Sequence, residues 1–172
     1  CCGNQHNLLN FNATAVYAIP SFFAQEMLRD SLGVSTLSTN CSGGSGTWVA
    51  QASEIGKDEL VVKLVNYGAA AQNVSVAFDG AAAQTANASV LSAEDPLAEN
   101  SLDDPNQVVP KSLDEVSVDA SGVSLTMPAW SLVVVRVGCH APAAGRGLKL
   151  DDGGRTMSGA GSTPPPKFAP TY

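Results

Sequence analysis

Aromatic residues make up only 6% of this 172-residue sequence, and nine basic residues face sixteen acidic ones. The resulting net charge of −7 argues against a nucleic-acid backbone or an anionic membrane as the main partner. There is no apolar run of about 18 residues, so no transmembrane helix is expected. The chain has no basic-plus-apolar leader and starts at Cys1, not Met, which reads as a fragment of a longer product. The missing leader therefore says nothing about secretion of a parent protein. Cys1, Cys2, Cys41 and Cys139 form no C-x-x-C pair, and His6 and His140 are too few for a zinc site. A bridge between adjacent Cys1 and Cys2 would be strained, and a Cys41–Cys139 bridge stays open at this point. There is no G-x-S-x-G elbow, phosphate loop or metal-binding helix motif. Gly43-Gly44-Ser45-Gly46 is followed by neither a Lys nor a helical pattern, and reads as a flexible loop.

What is present divides into three segments. Residues 1–33 read as strand, loop and helix. Leu8, Leu9 and Phe11 suit a short buried strand. Pro20 suits a first helical turn, where its missing N–H would be unpaired anyway. Phe23, Met27 and Leu28 follow at helical spacing, and Gly33 supplies a stop. Residues 34–139 read as strands: Trp48-Val49, Leu60–Leu64, Val74–Phe78, Ala88–Val90, Val123–Met127 and Leu132–Val137. The last run is nearly continuous and β-branched, broken by Arg136, and suits a central strand. Six or seven strands without a helical period between them predict an antiparallel β-sandwich. Residues 140–172 hold Gly, Pro, Ser and charges with no apolar period, and are expected to be a disordered tail.

Roughly one or two Asn-x-Ser/Thr triplets are expected by chance in such a composition. Four occur, at Asn12, Asn40, Asn73 and Asn87, which makes these the candidate glycosylation sites and leans towards a secreted parent. The densest acidic stretch, Glu94 to Asp104, offers carboxylates for glycoside hydrolysis or for calcium, but its spacing matches no helix–loop–helix calcium loop. A Pro-flanked, solvated loop is the plainer reading. His6 and His140 have no visible chemical partner in the sequence. Trp48, Trp130, Tyr67 and Phe78 are the aromatics of the strand region, and Trp130 and Phe78 are expected in its core. That count disfavours a sugar-stacking platform.

Leu8-Leu9-Asn10-Phe11-Asn12 followed by Tyr17-Ala18-Ile19-Pro20-Ser21-Phe22-Phe23-Ala24-Gln25-Glu26-Met27 is similar to a segment of known pattern, as is Leu60-Val61-Val62-Lys63-Leu64-Val65-Asn66. The pattern continues through Asp95-Pro96-Leu97-Ala98-Glu99-Asn100-Ser101-Leu102-Asp103-Asp104-Pro105 and Val108-Val109-Pro110 to Met127-Pro128-Ala129-Trp130-Ser131 and the strand after it. Taken in order across residues 8–137, these pieces resemble the C-terminal part of the family 51 glycoside hydrolases, the α-L-arabinofuranosidases of plant and fungal type.

The resemblance implies that residues 1–33 are the last strand, loop and helix of a (β/α)8 barrel. It implies that residues 34–139 are a jelly-roll-like β-sandwich packed on that barrel. It also implies retaining removal of terminal α-L-arabinofuranosyl groups from plant-type wall polysaccharides, without a cofactor, using two glutamates on barrel strands. No Glu of this sequence aligns with either, so no catalytic residue is assigned and the chain alone is expected to be inactive. An arabinose-containing polysaccharide is the expected partner through the barrel, and the extracellular space or secretory pathway the expected location. The competing expectations are a free-standing sandwich that binds carbohydrate or protein, and a metal-binding module at Glu94–Asp104.

Overall fold

Apolar residues that alternate with polar ones place every second side chain on one face of a strand, and such a face must be covered. The computed structural model describes residues 7–42, 47–56, 58–79, 81–119, 122–140 and 147–151. The described elements are β1 (Leu9–Phe11), β2 (Val16–Ala18), α1 (Pro20–Asp30), β3 (Ser35–Thr36), β4 (Ser38–Cys41), β5 (Trp48–Glu54), β6 (Glu59–Asn66), β7 (Gln72–Asp79), β8 (Ala82–Ser92), β9 (Lys111–Leu113), β10 (Val116–Asp119), β11 (Gly122–Met127), β12 (Ser131–His140) and β13 (Gly147–Asp151). Strands β1 and β2 form a ribbon. A six-stranded sheet has the order β3-β5-β6-β12-β8-β9, and a five-stranded sheet has the order β10-β11-β7-β13-β4. The larger sheets share one apolar core, so the expected antiparallel β-sandwich is the observed fold. The β13–β4 pair is parallel.

The core follows directly from the alternation. Leu60, Val62 and Leu64 of β6 and Val133, Val135 and Val137 of β12 point in from one sheet. Val74 and Val76 of β7 and Val123, Leu125 and Met127 of β11 meet them from the other. Each is at most 5% exposed, and full burial of one such side chain contributes about 1.5–3 kcal/mol. Trp48 belongs to this core.

Strand β12 is apolar on both sides because both sides are covered. Its odd residues face the sandwich core. Val134 faces outward, where Val61 of β6, Leu91 of β8, Val108 and Met27 of α1 form a second cluster. This explains the near-continuous hydrophobic run and its place between β6 and β8. Arg136 interrupts the run for a local reason. Its Nη1 donates to Glu59 Oε1 at 3.0 Å, and its Nη2 donates to the Asp30 carbonyl at the end of α1. A cation at a helix C-terminus is favourable, although the half-exposed ion pair itself contributes only about 0–1 kcal/mol.

Four differences from the sequence reading have physical causes. Strand β1 forms but is not buried: Leu9 is 45% and Phe11 80% exposed, because the ribbon pairs only with itself. Helix α1 ends before Gly33. The Ser31 hydroxyl donates to the Met27 and Leu28 carbonyls at 2.7 and 3.2 Å, satisfying two orphan acceptors of the last turn. Gly33 is instead a close-contact residue, since a Cβ there would lie 2.3 Å from the Ser53 Cβ. Part of the expected disordered tail is a strand: β13 pairs with β7 and β4, and Gly-Leu-Lys-Leu-Asp carries a short alternation that the composition of the tail hides. The rest of that tail lies outside the described residues. Short strands β3, β4, β9 and β10, of two to four residues each, show too little alternation to be read in advance.

Leu64 is fully enclosed between the sheets. Leu64→Ala should lower stability by about 2–5 kcal/mol in urea denaturation monitored by circular dichroism, because the rigid sheets collapse poorly around the void.

Candidate functional site

An apolar cleft lies where the start of α1 approaches the outer face of the six-stranded sheet. Pro20, Ser21 and Ala24 line one part of it, and Leu91, Ser92, Ala93, Asp95 and Val108 another. The ends of β6 and β12 complete it through Val65, Asn66, Tyr67, Trp130, Ser131 and Leu132, around a volume of about 360 Å³. The helix begins here because Pro20 fits the first turn, with Ile19 extended before it.

A cage of hydrogen bonds builds the far wall. Asn66 is 1% exposed, and its Nδ2 donates to the Pro128 and Ala70 carbonyls at 2.8 and 2.9 Å. Its Oδ1 accepts from the Gly68 N–H at 3.0 Å. The Trp130 N–H donates to the Gly68 carbonyl at 3.2 Å, and the Ser131 hydroxyl to the Pro128 carbonyl at 2.7 Å. These bonds hold Trp130 at φ 47°, in the left-handed region that bulky residues seldom adopt. Trp130 was expected in the sandwich core. The turn instead turns it out to the cleft, partly buried, and Trp48 takes the core position. Phe78 packs against the core from its edge, as a partly buried residue.

A second buried amide organises the acidic stretch. Asn100 is 3% exposed; its Nδ2 donates to the Ala18 and Val108 carbonyls at 2.8 and 3.0 Å, and its Oδ1 accepts from the Val108 N–H at 2.7 Å. It thus joins strand β2 to the loop that covers α1. Sequence reading placed Asn100 in the acidic stretch and in the resemblance, without a structural role. No local signal separates it from its exposed neighbours.

Side chains of the stretch also close its turns. Asp95 Oδ1 accepts from the Leu97 N–H at 2.9 Å, and the Asp104 N–H donates to the Ser101 hydroxyl at 3.0 Å. Among the described residues, no three His, Cys, Asp or Glu side chains gather into a metal-ligating group. The cleft is lined by a single acidic residue, Asp95. Two other depressions, of about 530 and 480 Å³, carry Glu94 with Asp95 and Asp114 with Glu115. Each pair is consecutive in the chain and so belongs to one wall. Retaining sugar hydrolysis requires carboxyl groups that face each other across the bond at roughly 5–5.5 Å.

The four sequon asparagines are all exposed. Asn12 sits at the turn of the β1–β2 ribbon, where its Oδ1 accepts from the Thr14 and Ala15 N–H groups at 2.9 and 2.8 Å. Asn40 lies on β4, Asn73 on β7 and Asn87 on β8. Asn73 Oδ1 accepts from the Thr126 hydroxyl at 2.9 Å, and Asn87 stands opposite Arg136 in register. Cys41 and Cys139 are not bridged: Cys41 is at the surface and Cys139 is buried. Partial desolvation pushes the Cys41 thiol above its ordinary pKa. Cys1, Cys2, His6 and Gly43–Gly46 lie outside the described residues. His140 ends β12.

With this geometry in place, comparison with known proteins is informative. Residues 4–131 match the α-L-arabinofuranosidase C-terminal domain family. The chain is 32% identical over 130 residues to α-L-arabinofuranosidase 1 of Arabidopsis thaliana, covering 70% of this chain and 19% of that protein. It is 31% identical over 133 residues to a probable α-L-arabinofuranosidase A of Aspergillus flavus, covering 75% of this chain and 20% of the relative. The chain therefore spans about a fifth of the length of the curated relatives it matches. The crystal structure of a GH51 arabinofuranosidase from Xanthomonas axonopodis pv. citri superposes with a TM-score of 0.62 at 16% identity, over 76% of this chain and 28% of that one. That likeness is one of fold.

Two predictions follow from the acidic loop. Asn100→Ala leaves the two buried backbone groups of Val108 and the part-buried Ala18 carbonyl without this partner and should destabilise the chain by about 1–3 kcal/mol in urea, with faster proteolysis within 94–108. Calcium or a chelator should leave the melting temperature unchanged in differential scanning calorimetry, since no three carboxylates of the described loop gather around one point.

Proposed function

The chain belongs to the α-L-arabinofuranosidase C-terminal domain family of the family 51 glycoside hydrolases, and from that premise we propose that it is a non-catalytic module of such an enzyme. The enzyme would remove terminal α-L-arabinofuranosyl groups from plant-type wall polysaccharides with retention of configuration. In this reading the β1–β2 segment and α1 are the closing strand, loop and helix of the catalytic barrel, and the sandwich is the platform that carries them.

The observation that carries the proposal is a group of large apolar residues at the surface of the leading segment. Leu9, Phe11 and Val16 on the ribbon are 45%, 80% and 63% exposed. Leu28, Leu32 and Val34 at and beyond the end of α1 are 38%, 69% and 82% exposed. Phe11 and Val16 stand opposite each other in the ribbon's register, and an exposed apolar pair of this size marks a contact with another folded body. A barrel is the body that the family's activity requires, because it supplies the two facing carboxyl groups that no cleft described above possesses. The exposed sequons support a secreted, glycosylated parent, again as a proposal.

The chain by itself should show no turnover of an aryl α-L-arabinofuranoside at any pH between about 4 and 8, the range over which carboxylate pairs act. Measurable, saturable hydrolysis by the purified chain would overturn the non-catalytic assignment. Phe11→Ser with Val34→Ser should reduce self-association in static light scattering without lowering the melting temperature, since both side chains are already in water.

A further inference from the structure

We propose that the cleft between the first turn of α1 and the start of β12 is a saccharide contact site, with Trp130 as its stacking face. Three observations converge on it. Trp130 is held in the left-handed region at φ 47°. A bulky residue is strained there, and strain of this kind persists only where surrounding bonds over-determine it. The Asn66 cage supplies those bonds, and the result is to place an indole on the cleft wall and not in either apolar cluster. Second, Tyr67 lines the same cleft and is 49% exposed. The cleft thus gathers two of the few aromatic rings in the sandwich, although their number alone had argued against a sugar platform. Third, Ser21, Ser92 and Asp95 share the lining, so the same cleft offers hydroxyl and carboxylate groups as well as aromatic residues. The volume of about 360 Å³ falls in the range of roughly 300–1,000 Å³ typical of small-molecule sites.

A sugar ring fits this chemistry. Its C–H face packs on an indole or phenol ring, while its hydroxyls need the neighbouring polar groups to replace water. The single carboxylate makes the cleft a binding site and not a hydrolytic one. The choice of arabinofuranosyl units as occupant rests on the function proposed above; the existence of the site does not. Its position beside the first turn of α1 would place a second sugar contact on the helix that leads into the sandwich.

The test is isothermal titration of the full chain with a linear α-L-arabinofuranosyl trisaccharide, with xylotriose as the comparison sugar. Trp130→Gly removes the ring and relieves the backbone, because glycine accepts a positive φ. It should weaken arabinotriose binding by about tenfold or more. Trp130→Phe should retain most of the binding. Tyr67→Ala should also weaken it, so the result does not depend on one variant's folding. No heat of binding with either sugar, or equal binding by the wild-type chain and Trp130→Gly, would overturn the site while leaving the non-catalytic module reading intact. A Trp130-dependent preference for xylotriose would overturn the choice of sugar and count against the arabinofuranosidase reading instead.

Discussion

Strand β12 needs cover on two sides. Val133, Val135 and Val137 face one way and Val134 the other, and all four are at most 6% exposed. The second sheet covers one side. The other requires an apolar element from elsewhere in the chain, and α1 supplies it through Met27, with Val108 of the long loop beside it. Removing either cover would expose apolar surface along the middle of the six-stranded sheet. The leading helix and the sandwich are thus coupled through one strand, although the sequence reading assigned them to different segments.

The same coupling produces the cleft. Pro20, Ser21 and Ala24 of the start of α1 line a gap left between the helix and the sheet. Here the gap is walled by a turn whose geometry is fixed by Asn66 and by a loop fixed by Asn100. Both asparagines are buried and have their amide groups bonded to backbone, which makes them stabilising where an unsatisfied amide would be costly. Both act over long sequence distances: Asn66 reaches Pro128, and Asn100 reaches Ala18. Arg136 adds a third tie by reaching the end of α1.

Long alternating runs were legible in the sequence for a simple reason. Val74 to Phe78 and Val123 to Met127 repeat the period of a strand often enough to exclude a helix, and Pro20 marks a helix start that the structure places at the same residue. Strands of two to four residues carry no such repetition, and β13 sits in a Gly- and charge-rich context that conceals Leu148 and Leu150. The site was harder to read. Trp130 follows a strand-like run and precedes another, so its neighbours suggest a core residue. Its outward placement depends on a backbone dihedral that no local pattern encodes. Asn66 was quoted within the resemblance and Asn100 within both the resemblance and the acidic stretch, and neither was read as structural, because the bonds that make them so join residues 62 and 82 positions apart.

Native-state amide hydrogen exchange on the intact chain tests the coupling of α1 to β12 most directly. The account predicts that amides of Ala24 to Leu28 in α1 exchange through the same opening as those of Val133 to Val135, with equal free energy and equal urea dependence. Exchange of the helix through a separate, low-energy and urea-insensitive opening, with β12 still protected, would contradict it.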